Sequence, residues 1–174
     1  MHDHPSPRSF DDATLLQRGL RRFGASMPGS VVLPPLLHRL DGPVHRLTGG
    51  RHTLTSVLAG LPVATIETIG ARSGATRRLP LVVLPTPEGP AVIGSNYGQP
   101  THPGWVHNLR ANPNGSVTLD GRTWPFRAVE LEGARRARIW RDALTAHPGF
   151  ARYERRAAPR EIPVFVLESP PPAA

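Results

Sequence analysis

The 174-residue chain carries 39% hydrophobic and 20% charged residues, enough for one compact domain with its own core. It has no cysteine, which excludes disulfides, thiolate catalysis, zinc-thiolate sites and cysteine-ligated iron-sulfur clusters. Its 21 basic residues, all of them Arg, outnumber 13 acidic ones for a formal charge of +8, so the surface attracts anions.

Met1 to Ser9 hold His, Asp, Pro and Arg where a secretory signal would need an apolar core, and residues 1–10 read as a disordered leader in a cytoplasmic protein. Residues 11–61 read as a helical segment. A first helix opens at Asp11 or Asp12 and sets Leu16, Leu20 and Phe23 on one stripe beside Arg18, Arg21 and Arg22. A second apolar stretch runs from Val31 to Leu47, with Pro34 and Pro35 in its first turn. Neither approaches the roughly 20 uninterrupted apolar residues of a membrane span. The arginine-edged first stripe does suit peripheral contact with the inner face of a membrane.

From Pro62 the pattern becomes that of strands, and residues 62–168 read as the main domain, followed by a tail at 169–174. Val63–Ile69 alternates and is rich in β-branched residues, Leu79 to Pro85 is an apolar run, and Ala91 to Ser95 returns. A helix is predicted from His102-Pro103, with Pro at its first position, to Asn112-Pro113. Val117–Leu119, the dipeptide Asp120-Gly121 and Arg122 to Leu131 read as a hairpin. A helix over Glu132 to His147, a short helical turn around Phe150 to Arg156, and a strand at Pro163 to Leu167 complete the order. This predicts an α+β, mostly β, antiparallel sheet with interspersed helices, compatible with a small barrel. Short loops between the first strands and the lack of a glycine-rich strand-to-helix turn exclude a Rossmann unit.

Three segments carry candidate chemistry. Gly70 to Arg78 gathers Arg72, Arg77 and Arg78 with Ser73 and Gly74 in an inter-strand loop, where backbone N–H groups and guanidinium forks can wrap a phosphate; a solvated hairpin loop is the plain alternative. Ser95-Asn96 ends a strand just before the Trp105 helix, where a planar ligand would meet hydroxyl and amide groups, although both residues also form ordinary turns. Tyr153 sits in a polar helical turn, as a half-buried anchor or as a proton-donating hydroxyl. The histidines lack the i, i+4 spacing of a helical zinc site, so no metal is expected.

Thr68-Ile-Gly-Ala-Arg-Ser-Gly74, Arg77, Pro80-Leu81, Gly94-Ser-Asn96, the stretch His102 to Pro113 and the stretch Arg160 to Glu168 together resemble the deazaflavin-dependent nitroreductase and quinone reductase family. That resemblance implies a split β-barrel, akin to FMN-binding barrels, that binds the deazaflavin coenzyme F420, whose tail carries a phosphodiester and a glutamate chain. It further implies hydride transfer to an electron-poor small molecule such as a quinone, nitroaromatic or activated enone. By position it assigns Arg72, Ser73, Gly74, Arg77 and Arg78 to the tail, Ser95 and Asn96 to the ring, and Trp105 and Asn108 to the flanking helix. Tyr153 matches a tyrosine that orients or protonates substrate, whereas Val82 and Phe150 stand where some members carry tyrosines. The alternatives are an FMN-binding barrel, or a non-enzymatic basic protein on anionic membrane or nucleic acid; for the enzyme reading, no nucleic-acid partner is expected.

Overall fold

The computed structural model describes residues 62–169. The leader at 1–10, the helical segment at 11–61 with its Leu16, Leu20 and Phe23 stripe, and nearly all of the predicted tail lie outside them.

Strands β1 (Val63–Ile69), β2 (Thr76–Leu84) and β3 (Ala91–Ile93) are followed by a single turn at Asn96–Gly98 and helix α1 (Gly104–Ala111). Strands β4 (Asn114–Leu119) and β5 (Arg122–Glu130), helices α2 (Gly133–Ala146) and α3 (Phe150–Ala157), and strand β6 (Val164–Glu168) complete the chain. The strands close into a barrel in the order β1-β2-β3-β6-β5-β4, and every pairing is antiparallel. The predicted mostly antiparallel barrel is therefore the fold.

The sequence explains the closure. In β1, Ala64, Ile66 and Thr68 are buried while their neighbours are half-exposed, the period-two signature of a strand with one face in the core. Register carries that face onto β2 at Leu81, Leu79 and Arg77 and onto β4 at Val117. Gly115 stands where a Cβ would come within 2.3 Å of the Glu67 carbonyl oxygen and 2.7 Å of the Phe126 ring, so only glycine lets β4 lie this close to β1. Asp120 and Gly121 both take positive φ, 50° and 77°, the turn geometry their order predicts.

Two apolar clusters result. Inside the barrel, Ile66, Val83, Val92, Val117, Phe126 and Phe165 enclose Trp105, Val106 and Leu109 of α1. Outside it, Ile139, Trp140 and Ala143 of α2 and Phe150, Tyr153 and Ala157 of α3 cover Val164 and Val166. β6 is buried on both faces because its alternate residues serve the two clusters.

Several boundaries differ from expectation. β2 and β4 each begin three residues earlier than predicted, at Thr76 and Asn114, because exposed polar residues extend ladders that hydrophobic patterning does not mark. β3 stops at Ile93 rather than Ser95, since its partner β6 begins at Val164, opposite Ile93, and Ser95 already takes helical backbone. Pro103 is the residue preceding α1, with extended backbone, rather than its first helical residue. The turn expected near Phe150 is a full eight-residue helix.

Candidate active site

The loop from Gly70 to Ala75 is closed by hydrogen bonds from the Gly70 N–H to the Ala75 carbonyl, 2.9 Å, and from the Gly74 N–H to the Gly70 carbonyl, 2.8 Å. Gly74 takes φ +66°, a conformation glycine adopts without cost. The Ala75 N–H donates to Ser73 Oγ at 3.3 Å, so Ser73 shapes the loop and keeps its hydroxyl proton for a ligand. Among the described residues, the N–H groups of Arg72 and Ser73 have no acceptor in the protein.

Helix α1 fixes this loop from the side. Asn108 Oδ1 accepts from the Ala71 N–H at 3.0 Å, and Asn108 Nδ2 donates to Thr68 Oγ1 at 3.1 Å, where Thr68 is fully buried. Each end of the Asn108 amide thus makes one bond to the protein. Asn108→Ala is expected to cost about 1–3 kcal/mol by stranding these groups and to weaken binding in the cleft by loosening the loop. Parallel melting and ligand-titration curves check it; a lowered melting temperature with unchanged affinity would separate the brace from the site.

A cleft of about 820 Å³ opens against the loop, lined by Arg72, Ser73, Arg77, His107, Asn108 and Arg110 among others. Arg110 is neutralised by a two-pronged pair with Glu130, at 2.9 and 2.6 Å. Arg78 projects to the barrel exterior, paired across the ladder with Glu67. Arg72 and Arg77 have no carboxylate partner among the described residues, so the cleft holds two uncompensated guanidinium groups beside two open N–H donors. Such an arrangement binds an anion of the phosphate type. A smaller cavity, about 250 Å³, is lined by His102, Arg110, Glu130, Arg136, Arg160 and Glu161, but its charges are largely spent on one another: Arg110 on Glu130 and Arg136 on Glu161.

At the other end of α1 the chain makes a left-handed turn. Asn96, Tyr97 and Gly98 have φ of 47°, 54° and 76°; left-handed backbone costs a non-glycine residue about 1–2 kcal/mol, so this turn is held by its surroundings. The Asn96 amide donates to the Thr101 carbonyl at 3.0 Å. Gly98 is pressed against the Tyr153 backbone, where a Cβ would lie 2.8 Å from its carbonyl oxygen. Arg160 donates to the carbonyls of Gly94, Ser95 and Gln99. It also meets His102 Nδ1 at 3.3 Å, and because a guanidinium only donates, His102 must be the neutral tautomer protonated on Nε2. Burial and the charges of Arg110 and Arg160 favour that state by lowering the His102 pKa.

Tyr153 packs with Tyr97 at 6.0 Å between ring centroids, and with Phe150 and His147. It is 5% exposed, and burial, reinforced by the Tyr97 phenol, pushes its pKa up to about 12. Its hydroxyl therefore stays protonated through any ordinary assay range.

Of the residues marked in the sequence, Arg72, Ser73, Arg77 and Asn108 come together on one cleft. Gly74 sets the loop's turn, Asn96 opens the left-handed segment that precedes α1 with Ser95 just before it, and Tyr153 backs that segment. Trp105 is 6% exposed, its ring set edgewise on Phe165 in the barrel interior at 5.8 Å, so it holds α1 rather than offering a face. Sequence reasoning does not single out His107, Arg110 or Arg160 as site residues; the first two share α1 with Asn108 at spacings of one and two residues, and Arg160, beside Glu161 at the head of the stretch Arg160 to Glu168, has nothing local to show which groups it grips.

The closed antiparallel barrel thus carries a cationic cleft between a hairpin loop and helix α1, the features of a small barrel that can take an anionic ligand. The sequence profile of the F420H(2)-dependent quinone reductase family matches residues 37–169, and the chain belongs to that family. Its activity class is F420-dependent oxidoreduction and its coenzyme is F420. An F420H(2)-dependent quinone reductase of Mycobacterium tuberculosis is 29% identical over 135 residues, covering 75% of this chain and 89% of that protein. A solved F420-H2 dependent reductase is 38% identical, with a TM-score of 0.57 over 62% of this chain and 94% of its own. A second structure, described as a domain-swapped dimer, is 34% identical with a TM-score of 0.59, over 73% and 95% of the two chains.

Proposed function

We propose that the cleft between the Gly70–Ala75 loop and α1 receives the anionic tail of F420, and that the acceptor reduced is a quinone. The observation that supports this most directly is the pair of uncompensated guanidinium groups, Arg72 and Arg77, beside the open N–H donors of Arg72 and Ser73. A phosphodiester needs donors of this kind, and a glutamate chain needs the excess positive charge. Arg72, Ser73 and Arg77 hold the tail, Gly74 and Asn108 shape and brace the loop, and Arg78, turned outward onto Glu67, stays out of the cleft. Ser95 and Asn96 form the wall toward the ring, and Trp105 keeps α1 seated.

F420 supplies, when reduced and bound, a two-electron hydride rather than single electrons. The protein's part is to hold coenzyme and acceptor in register and to exclude water between them. Tyr153, locked neutral, orients the acceptor through a hydrogen bond from its hydroxyl to the oxygen on which negative charge develops; with a pKa near 12 it is poorly matched to proton donation near neutrality, and the proton comes from solvent.

Among the described residues no helix is long and apolar enough to cross a membrane. A cytoplasmic enzyme that meets a lipid-soluble quinone at the inner membrane face, through the Leu16, Leu20 and Phe23 stripe, is the setting we propose; that stripe lies outside the described residues.

The test is a fluorescence titration of the full chain with F420 and with FMN, followed by oxidation of F420H2 by a soluble quinone and by a nitroaromatic. F420 is expected to bind more tightly than FMN and the quinone to turn over faster. Tyr153→Phe is expected to lower quinone turnover about 10-fold, below the usual range for general acid catalysis, while leaving F420 affinity unchanged. Tighter FMN binding would overturn the cleft assignment, and equal turnover by Tyr153→Phe would return that residue to packing.

A further inference from the structure

We infer that Arg160 is a positioning residue for the ring end of the coenzyme site, fixing the left-handed turn Asn96–Gly98 against the foot of β6 so that Ser95 and Asn96 form a rigid wall. The inference rests on the reading of Ser95-Asn96 as that wall and adds the residue that holds it in place.

The geometry is specific to a guanidinium. Arg160 Nε donates to the Gln99 carbonyl at 3.1 Å. Nη1 donates to the Gly94 carbonyl at 3.2 Å and meets His102 Nδ1 at 3.3 Å. Nη2 donates to the carbonyls of Ser95 at 2.9 Å and Gln99 at 2.8 Å. All three nitrogens are used, and the groups they grip lie on both sides of the turn and at the approach to α1. Among the described residues Arg160 forms no ion pair, so its charge is committed to backbone dipoles instead of a carboxylate.

The turn requires such a clamp. Three successive positive φ values, two of them on Asn96 and Tyr97, describe a segment that would relax if released. Its own bonds, from Gly98 N–H to the Ser95 carbonyl and from Gln99 N–H to the Asn96 carbonyl, both 2.9 Å, lie within the segment and do not anchor it to the barrel. Anchoring comes from Gly94, whose N–H donates to the Pro163 carbonyl at 2.9 Å, from the packing of Gly98 and the Tyr97 ring on Tyr153, and from Arg160. Gly94 and Gly98 restrain the two ends. Arg160 alone joins Gly94, Ser95, Gln99 and His102 through one planar group. A lysine ammonium at this place reaches one or two of those acceptors, not four.

The experiment compares the full-length protein with Arg160→Met and Arg160→Lys. In the coenzyme-free state, amide hydrogen exchange over residues 94–102 is expected to quicken about 10-fold or more in Arg160→Met, while exchange in β1 and β4 stays unchanged, because the clamp secures one local unit. Arg160→Lys should recover part of that protection. With F420H2 and a soluble quinone, Arg160→Met is expected to lose about 10- to 100-fold in kcat through misplacement of the wall, with a smaller rise in the F420 dissociation constant because the tail cleft is untouched. Unchanged exchange over 94–102 would overturn the inference, as would exchange raised uniformly across the barrel in both variants, which would make Arg160 a general stability residue. Local loosening with unchanged kcat and affinity would also overturn it, by removing the turn from the site. Failure of the wild-type chain to bind F420 would instead overturn the underlying functional reading, and the titration reports that separately.

Discussion

The double variant Arg72→Ala/Arg77→Ala is expected to lose F420 affinity by at least about 30-fold while melting within a degree or two of wild type. Each guanidinium that makes a charge-assisted bond to a phosphate or carboxylate contributes about 1–3 kcal/mol, and about 1.4 kcal/mol corresponds to a tenfold change in affinity. The fold should not register the loss, since both side chains are exposed and neither pairs with a carboxylate among the described residues. Removing two like charges from a chain of net charge +8 relieves repulsion if it does anything. Ionic strength supplies an independent readout: wild-type affinity should fall as salt screens the attraction, and the double variant should show a flatter dependence. Arg72→Lys/Arg77→Lys should lie between them, keeping the charge but losing the planar fork. Measuring the dissociation constant at two salt concentrations for all three proteins decides the matter. A double variant with wild-type affinity would mean that the loop is an ordinary solvated hairpin.

The barrel was legible because its determinants are local. The alternation of Val63–Ile69, the Asp120-Gly121 turn and the stop at Asn112-Pro113 each impose a backbone geometry irrespective of what lies opposite. The cationic loop was legible for the same reason: Arg72, Ser73, Gly74 and Arg77 are neighbours in sequence, and a hairpin keeps them so. What sequence could not give was which charges remain free. Arg78 and Arg110 look like Arg72 and Arg77 on the page, and only register sets Arg78 against Glu67 and only the docking of α1 brings Arg110 to Glu130. Asn108 reads as a ligand contact, and its two hydrogen bonds, to residues 37 and 40 positions away, make it a brace for the loop as well. Arg160 is the extreme case, with its acceptors 58 to 66 residues distant.

The same division separates the two tyrosines from the two free arginines. In the proposed reading Arg72 and Arg77 act through charge-assisted bonds from an exposed loop, which adapts to its ligand. In the same reading Tyr97 and Tyr153 act through geometry, and the left-handed turn, Gly98 and Arg160 are what fix it. Affinity and turnover should therefore respond to different substitutions: the loop variants should move the F420 dissociation constant, and the turn variants should move kcat.

Trp105→Ala is expected to lower folding stability by about 3–5 kcal/mol, the usual cost of emptying a large aromatic site in a packed core. For a chain of this size that corresponds to a fall of roughly 6–20 °C in melting temperature. The ring is 6% exposed and stands edge-on to Phe165, which is itself 2% exposed, so its removal opens a void at the point where α1 enters the barrel. Val106 and Leu109, packed in the same interior, would keep the helix docked but not in register. Asn108 and the loop it braces would then drift, and F420 affinity should fall as a consequence of the lost packing. Trp105→Phe distinguishes this from direct contact with the coenzyme. It preserves an aromatic core residue at the cost of a smaller void, so the melt should drop less and F420 affinity should stay within about threefold of wild type. If Trp105→Phe instead binds F420 far more weakly at nearly normal stability, the indole touches the coenzyme and α1 must shift to expose it.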